Sequence, residues 1–277
     1  MPAFVASDKL TGDRRIENHV SQFFRSVSEA AESALLLDFD GTLAPFRIDP
    51  ATVKPWPGIR QLLQQIQDEG RTRIVVVTGR PAQDVASRLI LRAPLEIWGL
   101  HGSERLYPDG SIDREEISPD HRAALAQAGS RLRAENFGAD MRAGIRIEEK
   151  PNAVAVHWRG SSPDAATHAR KHVEELLRPF ARSAHMRVLL FDCGIELRAG
   201  RNKGHAVKVL IGELPAHAPV AYLGDDTTDE DAFHALAGRG LCVLVRPHLR
   251  PSAASLWLRT PTQLRRFLAS WLIAVTP

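Results

Sequence analysis

Two aspartates separated by one residue, Asp38 and Asp40, come directly after a short apolar run and open the segment Asp-Phe-Asp-Gly-Thr-Leu. In an extended backbone, side chains two residues apart point to the same side, so the two carboxylates can act together. A carboxylate is ionised at pH 7 and can attack phosphorus without a base to activate it. An Asp-Gly pair alone is more often a plain turn, so this interpretation needs support from elsewhere in the chain.

Three further segments supply that support. Thr-Gly-Arg at residues 78–80 follows the apolar run at 74–77, Lys203 opens a predicted helix, and Gly-Asp-Asp-Thr-Thr-Asp at 224–229 follows the run at 220–223. Ligands of an open parallel sheet bind beyond the carboxyl ends of its strands, so these groups are expected at one edge. Each segment alone has an ordinary explanation, such as acidic residues that favour a helix N-terminus. Their joint occurrence predicts one active site.

Attack by an aspartate on a phosphate ester requires nearby positive charge, because the two anions repel each other. At about 4 Å and an effective dielectric constant near 20, each charge pair costs roughly 4 kcal/mol, so a phosphate dianion costs about 8 kcal/mol. That repulsion would slow the attack by about six orders of magnitude. Asp38 and the pair Asp225 and Asp226 can hold Mg²⁺, a hard cation that accepts carboxylates, phosphate and water as ligands.

Other groups of the same segments can take the remaining roles. Lys203 supplies a fixed positive charge, and the Thr78 hydroxyl can donate a hydrogen bond to a phosphoryl oxygen. Asp40 is then left to protonate the leaving alkoxide and later to deprotonate the water that hydrolyses an aspartyl phosphate. The residues therefore predict a phosphatase with an aspartate nucleophile.

Buried strands and helices alternate in the parts of the chain that carry these groups. The predicted strands are short apolar runs at 34–37, 74–77, 95–98, 220–223 and 242–245. The predicted helices cover 58–69, a segment from Pro81, 203–210 and 229–236. This alternation predicts an α/β fold with a Rossmann-like parallel sheet that is covered by helices on both faces.

The middle of the chain has a different pattern. Asp109-Gly110 is a hairpin signal, and Ser118 and Ser162 each precede a proline, as helix N-caps do. Residues 145–148 and 153–157 alternate apolar and polar positions, as half-exposed antiparallel strands do. We therefore predict an inserted small α+β cap domain. The predicted organisation is a helical extension at 1–33, a hydrolase core at 34–111 and 198–277, and a cap domain at 112–197.

An amphipathic helix is predicted before the first strand. Its apolar residues recur at helical spacing: Ile16, Val20, Phe23, Phe24 and Val27. This helix is expected to pack on its own domain, with a dimer contact as the alternative. The chain is accordingly expected to be a monomer or a weak dimer.

Composition excludes several classes of function. Of the 277 residues, 44% are hydrophobic and 25% charged, which is globular composition. A net charge of only +3 gives no basic surface for nucleic acid, and no apolar stretch is long enough for a membrane span. The first ten residues lack the pattern of a secretory signal, so a cytoplasmic protein is expected. Motifs of serine hydrolases, zinc proteases and P-loop enzymes do not occur.

Cysteines and histidines predict no further site. Cys193 and Cys242 fit no metal or redox spacing, and two buried thiols are expected, with one disulfide as the alternative. Histidines outside the segments above are expected at the surface: His121, His168, His172, His185 and His217.

Taken together, the four segments resemble the four motifs of the haloacid dehalogenase-like hydrolases: Asp-x-Asp-Gly-Thr at 38–42, Thr78, Lys203 and Gly-Asp-Asp-x-x-Asp at 224–229. The resemblance implies an aspartyl-phosphate mechanism with Asp38 as nucleophile, Asp40 as acid and base, and Mg²⁺ as cofactor. The implied metal ligands are the Asp38 side chain, the Asp40 backbone carbonyl and Asp225, with Asp226 and Asp229 beside them.

Longer strings resemble the trehalose-6-phosphate phosphatase family within that superfamily. They are Gly-Asp-Asp-Thr-Thr-Asp-Glu-Asp-Ala-Phe at 224–233, Ile-Glu-Glu-Lys at 147–150 with His-Trp-Arg at 157–159, Gly-Leu-His-Gly at 99–102, and Glu-Leu-Arg at 196–198. Ala199 departs from the pattern, because the family usually has proline there, and the stretch from Ala199 to Lys203 looks shortened.

This second resemblance implies hydrolysis of trehalose 6-phosphate, with a small cap that closes over the sugar. The implied substrate contacts are Gly79, Arg80, His101, Gly102, Glu148, Lys150, His157, Arg159 and Glu196. Lys150 and Glu196 are the leading candidates for recognising the sugar, and the alternative is that both are solvated surface charges. Alternative functions are hydrolysis of another phosphorylated glycoside (sucrose phosphate, or a glycosyl-glycerol or glycosyl-glycerate phosphate) and, with less support, a catalytically silent regulatory domain.

Overall fold

The computed structural model describes residues 14–135, 144–182 and 186–277. The chain forms two compact units, one containing the residues up to Asp113 together with Asn202–Pro277, the other Arg114–Arg201. The domain boundaries at residues 112 and 197 remain a prediction. The first residues of the chain, expected to carry no signal, and His185, expected at the surface, lie outside the described residues.

The described strands, in chain order, are β1 (Ser33–Leu37), β2 (Thr72–Val77), β3 (Glu96–Gly99), β4 (Glu104–Leu106), β5 (Ile112–Arg114), β6 (Arg146–Lys150), β7 (Ala153–His157), β8 (Met186–Phe191), β9 (Gly194–Ala199), β10 (Val220–Gly224), β11 (Leu241–Val245) and β12 (Leu256–Leu258). Eight of them form one sheet in the order β12-β11-β10-β1-β2-β3-β4-β5. The pairs from β12 to β3 are parallel, whereas β4 runs antiparallel to β3. The predicted α/β class with a mostly parallel sheet is confirmed.

The described helices, in chain order, are α1 (Arg14–Glu29), α2 (Ile59–Asp68), α3 (Ala82–Leu89), α4 (Pro119–Ala134), α5 (Pro163–Leu177), α6 (Lys203–Glu213), α7 (Glu230–Leu236) and α8 (Thr262–Val275). The sequence predicted helices at α1 to α7, but it did not predict α8 or the strands β8, β9 and β12. Within the described part of the chain, no helix is long and apolar enough to cross a membrane.

The register of the central strands decides where polar groups can meet. Every residue of β1, β3, β10 and β11 is buried, which explains why these strands read as apolar runs. Leu37 of β1 pairs with Leu223 of β10 and with Val76 of β2. The three strands therefore end nearly level, and the residues that follow them emerge at the same edge of the sheet.

Helix α1 packs on the unit that contains the main sheet. Val20, Phe24 and Val27 are buried. The ring centroid of Phe24 lies 5.2 Å from that of Phe267 and 6.3 Å from that of Trp271, both on α8. The preferred interpretation of the helical spacing, packing on its own domain, is therefore confirmed.

The second unit is a four-stranded antiparallel sheet with the order β6-β7-β9-β8. Its helices begin at the predicted N-caps, because Ser118 accepts a hydrogen bond from the His121 N–H at 3.2 Å and Ser162 from the Ala165 N–H at 3.3 Å. Apolar residues of α4 and α5 share one core with alternate residues of the strands, such as Val156. The opposite face of this sheet carries polar residues of β6, β7 and β9, namely Glu148, Lys150, His157, Glu196 and Arg198, whereas Glu149 of β6 lies on the helix side and pairs with Arg133 of α4.

The cysteines and histidines only partly follow expectation. Neither cysteine is part of a disulfide, and Cys242 is buried as predicted. Cys193 is half-buried at the turn between β8 and β9, so the prediction of a buried thiol is wrong there, because a tight hairpin turn has one side open to solvent. His168 and His217 are exposed, whereas His121 and His172 are half-buried.

We expect Phe24→Ala to lower the free energy of unfolding by about 3–5 kcal/mol, because it leaves a cavity between α1 and α8. Arg25→Ala, on the exposed side of the same helix, is the control and should change that energy by less than about 0.5 kcal/mol. Urea-induced unfolding measures both. Equally small losses in the two variants would show that α1 does not belong to the folded core.

Candidate active site

Polar side chains collect at the carboxyl edge of the main sheet. Asp38 follows β1, Thr78 follows β2, Asp225 follows β10, and Lys203 is the first residue of α6, whose N-cap is Asn202. All four are buried, with exposures of 4% for Asp38 and Asp225, 2% for Lys203 and 0% for Thr78. The structure therefore brings together the four segments that the sequence predicted to act as one site.

The Lys203 ammonium lies between two carboxylates. Its Nζ is 2.7 Å from Asp38 Oδ1 and 2.7 Å from Asp229 Oδ1. Burial alone would lower the pKa of Lys203, but the charges of Asp229 and Asp38 raise it above its ordinary value. Lys203 is therefore a permanent positive charge in contact with the carboxylate that the sequence predicts as the nucleophile.

Asp229 uses its whole acceptor capacity inside the protein. Its Oδ1 accepts hydrogen bonds from Lys203 and, at 2.6 Å, from the Tyr222 hydroxyl. Its Oδ2 accepts hydrogen bonds from the backbone N–H groups of Asp225 and Asp226, each at 3.0 Å. A carboxylate offers about four acceptor positions, so Asp229 fixes the lysine and the loop rather than presenting a free oxygen. This arrangement is compatible with its expected place beside the metal ligands.

The carboxylates of this edge could hold a metal ion. Asp38, Asp225 and Asp229 are all buried, and each has an oxygen within 4.8 Å of the others. Three carboxylates face the single Lys203 ammonium, so burying the set without a further cation is unfavourable. Asp225 Oδ1 is buried and has no hydrogen-bond partner among the described residues. An orphaned carboxylate oxygen beside Asp38 fits a hard cation.

The pKa values of the cluster support the same interpretation. Burial raises the pKa of Asp38 to about 7, while Lys203 opposes this increase and the charges of Asp229 and Asp40 add to it. Burial also raises the pKa of Asp225 well above its ordinary value, and the Asp38 charge adds to the effect. A cation bound at these carboxylates would favour their ionised forms. Ionisation of Asp38 would then depend on whether a cation is bound beside it.

Two glycines let the backbone approach the carboxylates closely. Gly41 has φ +84°, and a Cβ at this position would collide with the Asp225 carboxylate. A Cβ at Gly224 would likewise collide with the Asp229 side chain. The glycine of the Asp-Gly pair therefore does more than form a turn, because it leaves the space that Asp225 occupies.

Asp40 lies against a different cation. Its carboxylate accepts hydrogen bonds from Arg80 Nε at 2.6 Å and from Arg80 Nη2 at 2.9 Å, the two-point geometry that the planar guanidinium favours. Arg80 also donates to Asp84 at 2.8 Å and to the Pro50 carbonyl at 3.2 Å. Arg80, which the resemblance implied as a substrate contact, thus contacts the expected acid and base of the reaction.

The remaining core candidates lie at the same edge. The His101 N–H donates to the Thr78 carbonyl at 2.9 Å. A Cβ at Gly79 would lie 2.5 Å from the His101 ring, and a Cβ at Gly102, which has φ +100°, would lie 2.6 Å from the Asn202 carbonyl oxygen. The two glycines therefore allow close packing between the loops after β2 and β3 and the start of α6.

Three candidates in the second unit form a group on the polar face of its sheet. Glu148 Oε2 lies 2.7 Å from His157 Nε2. Burial would raise the pKa of Glu148, but the hydrogen bond with His157 and the charge of Lys150 lower it to about 2. Arg159 instead donates to Asp192 at 2.7 Å, so the structure does not place it in this group.

Glu196 lies on β9 of the same sheet and is 1% exposed. Its Oε1 is 3.2 Å from Nη1 of Arg198, which is also buried. The alternative of a solvated surface charge is therefore wrong for Glu196, because a carboxylate this deeply buried needs a partner. Lys150 is half-buried.

Sequence reasoning missed several residues of this site. Tyr222, whose hydroxyl binds Asp229, could have been noticed as a polar group near the end of an otherwise apolar strand. Arg246 Nη1 donates to the Asp225 carbonyl at 3.2 Å, and Arg250 Nη2 donates to the Asp226 carbonyl at 2.7 Å. These two arginines follow β11 in a loop, and single arginines in a loop give no pattern that separates them from solvated ones.

Solved structures share this fold. The chain is similar to the C-terminal domain of C. albicans trehalose-6-phosphate phosphatase, with a TM-score of 0.78 and 22% identity over 98% of this chain and 99% of that one. It is also similar to a phosphatase of the haloalkanoate (HAD) enzyme superfamily from Bacteroides thetaiotaomicron, with a TM-score of 0.61 and 17% identity over 87% of this chain and 95% of that one. The predicted haloacid dehalogenase-like fold is therefore confirmed.

The sequence comparisons give the family. Residues 36–256 match the model of the trehalose-phosphatase family. The trehalose-phosphate phosphatase of Mycobacterium marinum is 32% identical over 245 residues, which cover 84% of this chain. The chain spans 60% of the length of that relative. The chain belongs to the trehalose-phosphatase family, as the resemblance in its motifs implied.

If these carboxylates hold a divalent cation such as Mg²⁺, Gly41→Ala should weaken its binding by at least about tenfold, because the new methyl group displaces the Asp225 carboxylate. Gly70→Ala is a matched control, since Gly70 also has a positive φ, +70°, but has no atom within 4 Å of an added Cβ. Both variants should lose about 1–2 kcal/mol of stability from the left-handed backbone. Calorimetric titration with Mg²⁺ measures affinity, and equal losses of affinity would contradict a specific clash with Asp225.

Proposed function

We propose that this protein hydrolyses trehalose 6-phosphate to trehalose and inorganic phosphate through an aspartyl phosphate on Asp38. One observation carries the proposal: the buried contact between Asp38 and Lys203 at the carboxyl edge of the sheet, inside the span that matches the trehalose-phosphatase family. A carboxylate and a fixed cation at this position are what attack on a phosphate ester requires. The M. marinum relative, described as a trehalose-phosphate phosphatase, supports the choice of substrate.

In the first step, an ionised Asp38 oxygen attacks the phosphorus, and a new O–P bond forms while the bond from phosphorus to the sugar oxygen breaks. The electron pair of the broken bond goes to the sugar oxygen, which takes a proton from Asp40. Lys203, held by Asp229, neutralises charge on the phosphoryl group. The Thr78 hydroxyl donates a hydrogen bond to a phosphoryl oxygen.

In the second step, Asp40 takes a proton from a water molecule, and the water oxygen attacks the phosphorus of the aspartyl phosphate. The bond between Asp38 and phosphorus breaks, which restores the Asp38 carboxylate and releases inorganic phosphate. Asp40 ends the cycle protonated, so the same carboxyl group serves as acid and then as base.

We assign Mg²⁺ to the buried carboxylates as the cofactor. The proposed ligands are the Asp38 side chain, the Asp40 backbone carbonyl and Asp225, with Asp226 and Asp229 beside them. When bound, Mg²⁺ supplies positive charge against the phosphoryl oxygens and offsets a repulsion of about 8 kcal/mol. The orphaned Asp225 Oδ1 supports this assignment.

We place recognition of the sugar on the polar face of the second unit. Charged side chains meet the hydroxyls of a disaccharide in fixed directions, and such hydrogen bonds contribute roughly 1.5–3 kcal/mol each. Lys150 and Glu196 are the leading contacts. Weaker candidates are Glu148, His157 and Arg159 in that unit, and Gly79, Arg80, His101 and Gly102 in the core. Since the phosphate end is the same in every phosphosugar, discrimination among them has to come from the sugar.

Two alternatives are open to test. Another phosphorylated glycoside, such as sucrose phosphate or a glycosyl-glycerol or glycosyl-glycerate phosphate, would use the same reacting groups. A catalytically silent regulatory domain is the alternative from another class. The presence of Asp38, Asp40, Lys203 and Asp225 argues against it, because a silent domain has no need to keep these groups.

We expect Asp38→Asn to leave a folded protein without measurable phosphate release, because the neutral amide is a poor nucleophile and a weaker metal ligand. Asp68→Asn, at an exposed ion pair with Arg92, is the control and should retain activity. The assay is phosphate release from a panel of phosphosugars with and without Mg²⁺. Turnover of Asp38→Asn within tenfold of wild type would exclude the covalent step, and a preference for another glycoside would change the substrate.

We expect Lys150→Ala and Glu196→Gln to lower kcat/KM for trehalose 6-phosphate by about tenfold or more, the effect of losing about 1.4 kcal/mol. For p-nitrophenyl phosphate, which carries no sugar, the change should be far smaller. Lys171→Ala and Glu175→Gln are matched controls, because both side chains are exposed on α5 of the same unit. Equal losses on the two substrates would mean that Lys150 and Glu196 act through folding rather than specificity.

A further inference from the structure

A series of alternating charges runs from Asp40 into helix α3. Arg80 holds both Asp40 oxygens, at 2.6 and 2.9 Å, and its Nη1 donates to Asp84 Oδ2 at 2.8 Å. Asp84 Oδ1 accepts in turn from Arg88 Nη2 at 2.7 Å. The four side chains, Asp40, Arg80, Asp84 and Arg88, are therefore linked by charge-assisted hydrogen bonds from the active site to the outer part of α3.

Both arginines of this series are also anchored on backbone carbonyls. Arg80 donates to the Pro50 carbonyl at 3.2 Å, and Arg88 donates to the carbonyls of Ala51 and Val53 at 3.0 and 2.9 Å. These carbonyls belong to the segment between β1 and α2. The two arginine side chains are largely buried, with exposures of 15% for Arg80 and 17% for Arg88. Arginines fixed at this many points have little freedom to change orientation.

Asp84 is the group that the two arginines share. It lies in the first turn of α3, where a carboxylate also favours the helix dipole, so helix stabilisation is its ordinary explanation. The geometry assigns it more than that, because both of its oxygens accept hydrogen bonds from arginine. Burial would raise the pKa of Asp84, but the hydrogen bonds from Arg88 and Arg80 lower it below its ordinary value, so the carboxylate is ionised at neutral pH.

We propose that Asp84 is a positioning residue for the proton transfers of Asp40. By fixing the Arg80 guanidinium, Asp84 fixes the direction of both Asp40 oxygens. Without Asp84, Arg80 keeps its contact with Asp40 but loses an anchor, and the Asp40 carboxyl group moves with it. The inference rests on the proposed function, in which Asp40 is the acid and base of phosphate-ester hydrolysis.

Two substrates with different leaving groups can distinguish a positioning role of Asp84 from a merely structural role. A sugar alkoxide needs a proton as it leaves, whereas p-nitrophenolate leaves without one. Since kcat/KM covers the steps up to the aspartyl phosphate, it reports on Asp40 as an acid. We therefore expect Asp84→Asn to lower kcat/KM for the preferred sugar phosphate by about tenfold or more, and for p-nitrophenyl phosphate by less than about threefold. Asp84→Glu should recover part of the loss.

Asp68→Asn is the control, because it also removes an aspartate that is paired with an arginine. It should leave kcat/KM unchanged for both the sugar phosphate and p-nitrophenyl phosphate. If Asp84→Asn does not fold, Arg88→Gln takes its place in the same assay on both substrates, because it removes the other arginine that holds Asp84. Selective loss on the sugar phosphate supports the inference. Equal losses on both substrates, or no loss on either, would overturn it. Absence of turnover by the wild-type protein on every phosphate ester would instead refute the proposed function.

Discussion

One buried cation determines the arrangement of the active site. The Lys203 ammonium is 2.7 Å from two carboxylates, Asp38 and Asp229, which lie 165 and 26 residues away in the sequence. Without it, two carboxylates would be buried beside each other with no cation between them, and breaking a buried ion pair costs about 3–5 kcal/mol. The contact therefore holds β1, α6 and the loop after β10 in one relative position, on which every other group at this edge depends.

A lysine cannot set that position by itself, because its ammonium is a point charge on a flexible stem. The position has to come from the partners. Asp229 is fixed by the Tyr222 hydroxyl and by two backbone N–H groups, so it presents Lys203 with an acceptor in a constant place. Gly224 and Gly41 contribute by having no side chain, since a Cβ at either would push a carboxylate out of the cluster. The fixed Asp229 carboxylate and the close approach of the backbone at Gly41 and Gly224 thus compensate for the flexibility of the Lys203 side chain.

How much of the fold and the site could be predicted depends on whether a feature is local in the sequence or arises from contacts between distant residues. Strands β1, β10 and β11 are local apolar runs, and the rule that ligands bind at the carboxyl ends of parallel strands then gave the edge where the site lies. Helix α8 was missed although its buried residues, such as Leu264, Phe267 and Trp271, recur at helical spacing, so the sequence did carry its signal. The sequence also could not predict which charged side chains contact each other. Arg80 and Asp40 were both candidates, but their contact depends on how distant segments fold together.

The two aspartates of the Asp-x-Asp segment are chemically identical, so different roles for them have to come from their surroundings. Asp38 is buried and gives one oxygen to a lysine, which leaves the other oxygen for a metal ion or for phosphorus. Asp40 has a side chain that is 25% exposed, and both of its oxygens lie in the fork of Arg80. A carboxylate held at both oxygens is oriented as a unit, and the backbone carbonyl of Asp40 is the group that we propose as its metal ligand. The difference between a lysine and an arginine partner therefore gives the two aspartates distinct surroundings, as the roles proposed for them, nucleophile for Asp38 and acid and base for Asp40, require.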